Sequence, residues 1–220
     1  MPRYVRAKGS VFFFTVVLAQ RPSNLLVEEV DRLRRIYQAV QRRHPFETVA
    51  ICILPDHIHA LWALPDGDAD FSTRWSLIKS GFSRGLDARA RSTSKVAKRE
   101  KGIWQRRYWE HAIRDDEDFE RHVDYIHFNP VKHGHVNRIA DWPHSSFHRY
   151  VERGLLAPDW AGDLRNIQGS FGEDGGHAAL CPPYEATGSR HDDEPHSPLI
   201  IPASIRSRLN LRASAPFLQA

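Results

Sequence analysis

Thr48-Val-Ala-Ile-Cys-Ile-Leu54-Pro-Asp56-His57-Ile58-His59-Ala-Leu-Trp-Ala-Leu64 is the stretch on which the fold turns. Thr48–Leu54 is a continuous apolar run, as expected of a strand covered on both faces. Pro55-Asp56 is a tight-turn pair, and His57–Leu64 returns as a second strand, so the whole reads as a hairpin. Successive strand residues point to opposite faces. His57, His59, Leu61 and Ala63 therefore share one face, and Ile58, Ala60, Trp62 and Leu64 take the other. Two histidines followed by apolar residues describe a strand whose beginning is exposed at a rim.

Outward from the hairpin, strand and helix signals alternate. Ser10–Ala19, rich in Phe and Val, reads as a strand. Ser23 or Asn24 can cap a helix in which Leu26, Val30, Leu33, Tyr37 and Val40 recur every three or four residues, with Glu28 and Glu29 near its positive end. After the hairpin, Phe71, Trp75, Ile78, Phe82 and Leu86 share one helix face, leaving Lys79, Arg84 and Arg89 to solvent. A basic loop, 91–101, leads to an aromatic, extended segment, Ile103–Ile113. A last helix opens on Asp115, Asp116 and Glu117 and is expected to end at Asn129, because Pro130 disfavours helix at the residue before it. The order β-α-β-β-α-β plus a final helix is the ferredoxin-like α+β pattern, an antiparallel sheet with helices on one face.

The 220 residues suit one globular domain with a tail. No apolar run approaches the roughly 18 residues of a membrane span; the best, Val11–Ala19, has nine. No small-residue cleavage site follows the basic N-terminus, so secretion is not expected. Two cysteines make no disulfide framework, which fits a reducing cytoplasm. Residues 151–220 hold 7 of the 14 prolines and 7 of the 13 glycines. The chain thus divides into a domain at 1–154 and a Gly/Pro-rich, mostly irregular and partly disordered extension at 155–220, within which Leu199–Leu211 could form a short helix or a docking segment. Residues 1–150 carry 25 Lys and Arg against 18 Asp and Glu, and 71–107 carry 11 against 2. That local surplus points to a polyanion partner.

Three constellations carry chemistry. His57 and His59, two apart on a strand, project together and can chelate one divalent ion; the plainer reading is a strand edge bonded to solvent. On the last helix, Phe119, Val123 and Ile126 form an apolar stripe, and Asp118, His122, Tyr125 and Asn129 a polar one beside it. Tyr125 and Asn129 then stand one turn apart, as a nucleophile and a metal ligand would, or as a packed Tyr whose hydroxyl meets water. Basic and aromatic residues interleave at Lys79, Arg84, Lys95, Lys98, Arg99, Lys101, Trp104, Arg106 and Arg107, a pattern that neutralises phosphates and stacks on unpaired bases. The alternative is a solvated face with core tryptophans. No Gly-x-Ser-x-Gly or P-loop occurs, and Cys52, inside an apolar strand, looks inert.

In order, Leu54-Pro-Asp-His-Ile-His59, Trp104-Gln-Arg-Arg-Tyr-Trp-Glu-His111, Tyr125-Ile-His-Phe-Asn-Pro-Val-Lys-His-Gly134 and Asp141-Trp-Pro-His-Ser-Ser146 resemble the IS200/IS605-like single-tyrosine transposases. The likeness is closest to their REP-associated tyrosine branch and covers roughly residues 5–150. The resemblance implies an HUH nuclease fold. It makes His57 and His59 metal ligands, Tyr125 the nucleophile and Asn129 a third ligand, with Mg²⁺ or Mn²⁺ as the ion. It implies nicking and joining of single-stranded, hairpin-bearing DNA through a 5′-phosphotyrosine, by a monomer or homodimer. A DNA-binding protein that recognises hairpins without cutting is the alternative. HUH nucleases of replication or plasmid transfer, and metal-dependent hydrolysis without a covalent step, fit less well.

Overall fold

The computed structural model describes residues 11–90 and 92–161. The expected helix at Leu199–Leu211 and most of the extension lie outside them. The elements run β1 (Val11–Val17), α1 (Leu25–Glu28), α2 (Val30–Arg43), β2 (Glu47–Ile53), β3 (His57–Ala63), α3 (Phe71–Ser83), α4 (Thr93–Ala97), β4 (Trp109–Ala112), α5 (Asp116–Lys132), a 3₁₀ turn at Ile139–Asp141 and α6 (Phe147–Glu152).

The strands form one antiparallel sheet in the order β2-β3-β1-β4. Because β3 lies between β1 and β2, the connection through α2 is a split β-α-β unit, the ferredoxin-like arrangement. The first helix expected from the sequence is two, broken at Glu29, and only Trp109–Ala112 of the extended segment pairs as a strand.

Alternation along each strand sorts the core into two layers. Phe12, Phe14, Val16, Ile58, Ala60 and Trp62 meet Leu33 and Tyr37 of α2 and Trp75, Ile78 and Phe82 of α3. Val11, Phe13, Leu61, Ala50 and Cys52 meet Phe119, Val123 and Ile126 of α5. The helices between strands thus form the layer expected on one face, and α5 covers the other. Side chains as deeply sunk as Phe14, Phe82 and Leu26, all at 0% exposure, contribute roughly 1.5–3 kcal/mol each. The packed body reaches past Gly154: Leu155 and Leu156 touch the α5 layer, and Trp160 lies against Phe147.

Helix α5 does not end at Asn129. It continues through Pro130 for three more residues. Near a helix end the missing N–H removes only one bond, and a glycine stop lies just beyond. Gly134 takes a left-handed φ of 68°. His135 N–H donates to Pro130 O (2.9 Å) and Gly134 N–H to Val131 O (2.9 Å), a Schellman pair that closes the helix.

The first layer also holds a polar chain. Trp62 Nε1–H donates to Tyr37 Oη (2.7 Å), which is bonded to Thr48 Oγ1 (2.7 Å). Tyr37→Phe strands the buried indole N–H. Urea unfolding should show a loss of about 1–3 kcal/mol, with no change in the slope.

Candidate active site

The histidine face of β3 is the face that α5 covers, so the two constellations read separately from the sequence meet. His57 and His59 are buried at 5% and 2% exposure; they do not lie open at a rim. The extra turn of α5 brings His133 over the end of the strand, its ring 5.2 Å from that of His57. Tyr125 lies over His59 at 5.1 Å between rings, and Lys132 Nζ stands 5.4 Å from the Tyr125 ring. The rings of His57 and His59 are 4.8 Å apart.

Each imidazole is held through Nδ1. His57 Nδ1 is bonded to Asp56 Oδ1 (2.7 Å) and His59 Nδ1 to Thr15 Oγ1 (3.0 Å). That leaves Nε2 as the ring nitrogen available on each, the way outer-shell partners orient metal-binding histidines. His59 Nε2 is buried with no hydrogen-bond partner, and so is Asn129 Oδ1. Asn129 Nδ2 donates to Tyr125 O (2.9 Å), which fixes the amide with its oxygen outward from the helix. Asn129 is close enough to His59 to favour its protonated form, although no well-formed bond joins them. With the His59 Nδ1–H given to Thr15 Oγ1, Nε2 and Asn129 Oδ1 are two buried acceptors close together, an arrangement that suits a cation between them.

Electrostatics keep these imidazoles neutral and available as ligands. Burial lowers His59 well below the ordinary value, helped by His57, His133 and Lys132. Burial also lowers His57, against the pull of Asp56. Burial and the cationic forms of neighbouring His57 and His135 hold His133 at about 4. Burial raises Asp56, but its bonds to His57 and Arg21 outweigh that and hold it at about 2.

Further along the polar stripe, Asp118 and His122 of α5 meet His111 of β4. His111 Nε2 is bonded to Asp118 Oδ2 (2.7 Å), and His122 Nδ1 lies 2.7 Å from Asp118 O and 3.2 Å from Oδ1. Among the His, Cys, Asp and Glu side chains of the described residues, these three bring their ligand atoms within 4.8 Å of one another, a spacing that could hold one metal ion. Asp118 and His122 lie on the polar stripe that the helix period marks, whereas His111, in the aromatic segment, carries no such signal.

The basic residues scatter over the opposite, α3 layer. Lys79 is half-buried and donates to the carbonyls of Gln105 (2.6 Å) and Arg106 (3.1 Å), so it is not left to solvent as expected. Lys95 donates to Trp104 O and Lys101 to Leu86 O. Trp104 is buried against Phe82. These four fasten the loop. Arg84, Lys98, Arg99 and Arg107 are exposed, and Arg106, also exposed, pairs with Glu100. Arg84, Arg99, Lys101 and Arg106 line a cleft of about 610 Å³ together with serines of α3.

Asp56, Thr15, Lys132 and His133 were missed. Thr15 carries a signal, being the one hydroxyl within the apolar strand Val11–Val17.

The model of the family "Transposase IS200 like" matches residues 12–129, from β1 to Asn129. This chain belongs to that family of transposases. Within it, the chain falls in the REP-associated tyrosine transposase branch. It is 48% identical over 160 residues to the REP-associated tyrosine transposase of Escherichia coli K12, which covers 73% of this chain and 90% of that one. A Haemophilus influenzae relative is 48% identical over 158 residues, 71% of this chain and 90% of its own. A solved REP-associated tyrosine transposase, bound to a REP hairpin, is similar at TM-score 0.64 and 48% identity, covering 74% of this chain and 92% of that one.

Burial would raise the Asp118 carboxyl, but its bonds to His111, His122 and the Arg114 N–H pull it far below the ordinary carboxylate range. A depressed folded value means stabilisation present above the unfolded value of about 3.9 and lost as pH falls through the folded one. In EDTA, Asp118→Asn should be about 1–3 kcal/mol less stable than wild type at pH 7, because buried donors lose their charged acceptor. The urea midpoints of the two proteins should converge at strongly acid pH.

Proposed function

We propose that this transposase nicks and joins single-stranded DNA in a metal-dependent reaction, with Tyr125 as nucleophile and hairpin DNA as substrate. The observation that carries the reading is the pair of unpartnered buried atoms, His59 Nε2, on the ring that meets Tyr125 at 5.1 Å, and Asn129 Oδ1, one helix turn beyond that tyrosine. His57, His59 and Asn129 would hold the ion; Mg²⁺ or Mn²⁺ suits a site that must also engage phosphate oxygens. The ion would draw charge from the phosphate and stabilise the departing oxygen.

The residues do the rest. Tyr125 Oη forms a bond to the scissile phosphorus as the bond to the 3′-oxygen breaks. The phenol loses its proton and the 3′-oxygen gains one, giving a 5′-phosphotyrosine and a free 3′-OH. The ester keeps the bond energy, so a second 3′-OH can displace Tyr125 and reseal the strand without a nucleotide cofactor. Lys132, beside the ring, offsets negative charge at the reacting group. Exposed Arg84, Lys98, Arg99 and Arg107 suit contact with the DNA backbone. The hairpin partner is inferred from the relative solved with a REP hairpin.

The test is a denaturing gel of labelled hairpin oligonucleotides from the flanking DNA, incubated with the protein and Mn²⁺ or EDTA. A Mn²⁺-dependent band at the mass of protein plus DNA, absent in Tyr125→Phe while binding persists, is expected. Binding of a cognate hairpin without that band would favour recognition without cutting. Asp56→Asn, which loosens His57, should weaken Mn²⁺ binding about 10–100-fold by titration.

A further inference from the structure

We propose that His111, Asp118 and His122 form a second divalent-metal site, of the zinc-binding two-histidine, one-carboxylate type, which pins β4 to α5. One ligand atom from each residue lies within 4.8 Å of the others. Asp118 and His122 are neighbours along one helix, but His111 comes from the sheet, so the convergence is tertiary. It is set by register: His111 stands opposite Phe13 on β1, and the Phe13 ring touches His122 at 4.7 Å.

The site is walled rather than open. The His111 and His122 rings stack at 4.9 Å, with Trp109 stacked on His111 at 5.8 Å. The Asp118 carboxylate is buried, at 4% side-chain exposure. Its contacts are His111 Nε2, His122 Nδ1 at 3.2 Å, the Arg114 backbone N–H at 3.0 Å and Arg114 Nε at 3.3 Å. The guanidinium among them, Arg114, is 68% exposed and able to turn to solvent. A buried carboxylate between two imidazoles therefore has room for a better counter-charge. Two imidazoles and one carboxylate make three protein ligands, with a fourth position for water. A shell with bonds of about 2.0–2.2 Å puts its donors roughly 3.3 Å apart, a contraction of side chains alone. The Phe13 ring, 5.7 Å from His59 and 4.7 Å from His122, separates this site from the one at His57 and His59.

The experiment uses the full chain, stripped with EDTA and reloaded with Zn²⁺, or with Co²⁺ as a spectroscopic substitute. Bound metal is counted by mass spectrometry after gel filtration. The double variant His57→Ala/His59→Ala should keep one zinc, show the Co²⁺ absorption band of a four-coordinate site and gain thermal stability on loading. His111→Gln retains a hydrogen-bond donor for Asp118 and should fold in EDTA like the wild type, yet lose this zinc and its stabilisation. Zinc content and thermal shift in His111→Gln equal to wild type would overturn the site. So would a double variant that binds none. Neither result bears on covalent attachment through Tyr125, which the gel reads separately.

Discussion

Helix α5 meets the sheet with two stripes at once, apolar Phe119, Val123 and Ile126 beside polar Asp118, His122, Tyr125 and Asn129. All seven are buried. An apolar stripe alone would settle the helix by area. The polar one can be buried only if the sheet beneath offers partners at matching positions. The sheet does so at two places: His111 on β4 lies under Asp118 and His122, and His59 on β3 lies under Tyr125 and Asn129. A strand period of two and a helix period of 3.6 coincide at few points, so this double match fixes both the height and the rotation of α5.

The same demand explains residues with no chemistry of their own. Asp56 and Thr15 occupy one nitrogen on each of His57 and His59, and so decide where the other nitrogen points. Asn129 answers with an amide whose nitrogen is tied to its own helix. Burial keeps the two imidazoles neutral, so their lone pairs are available at neutral pH.

Much of this was legible in the residues. Alternation along His57–Leu64 gave the two faces of β3 correctly, because a two-residue period leaves no freedom once the strand is recognised. The stripe through Tyr125 was legible for the same reason at 3.6 residues per turn. Burial of the histidines was not, since it depends on which face α5 covers, a long-range choice that no local pattern encodes. Pro130 misled because the rule about the preceding residue is local, whereas the stop is set by Gly134. Lys79, Lys95 and Lys101 read as surface charge because a lysine that holds a loop by its carbonyls and one that faces water look alike in sequence.

The connection between β4 and α5 is three residues, Ile113 to Asp115. It folds the helix back onto the sheet from which it emerges, so Tyr125, Asn129, His57 and His59 all come from one chain. The encounter of helix with histidines is therefore unimolecular, at an effective concentration set by a short tether and not by how many molecules are present.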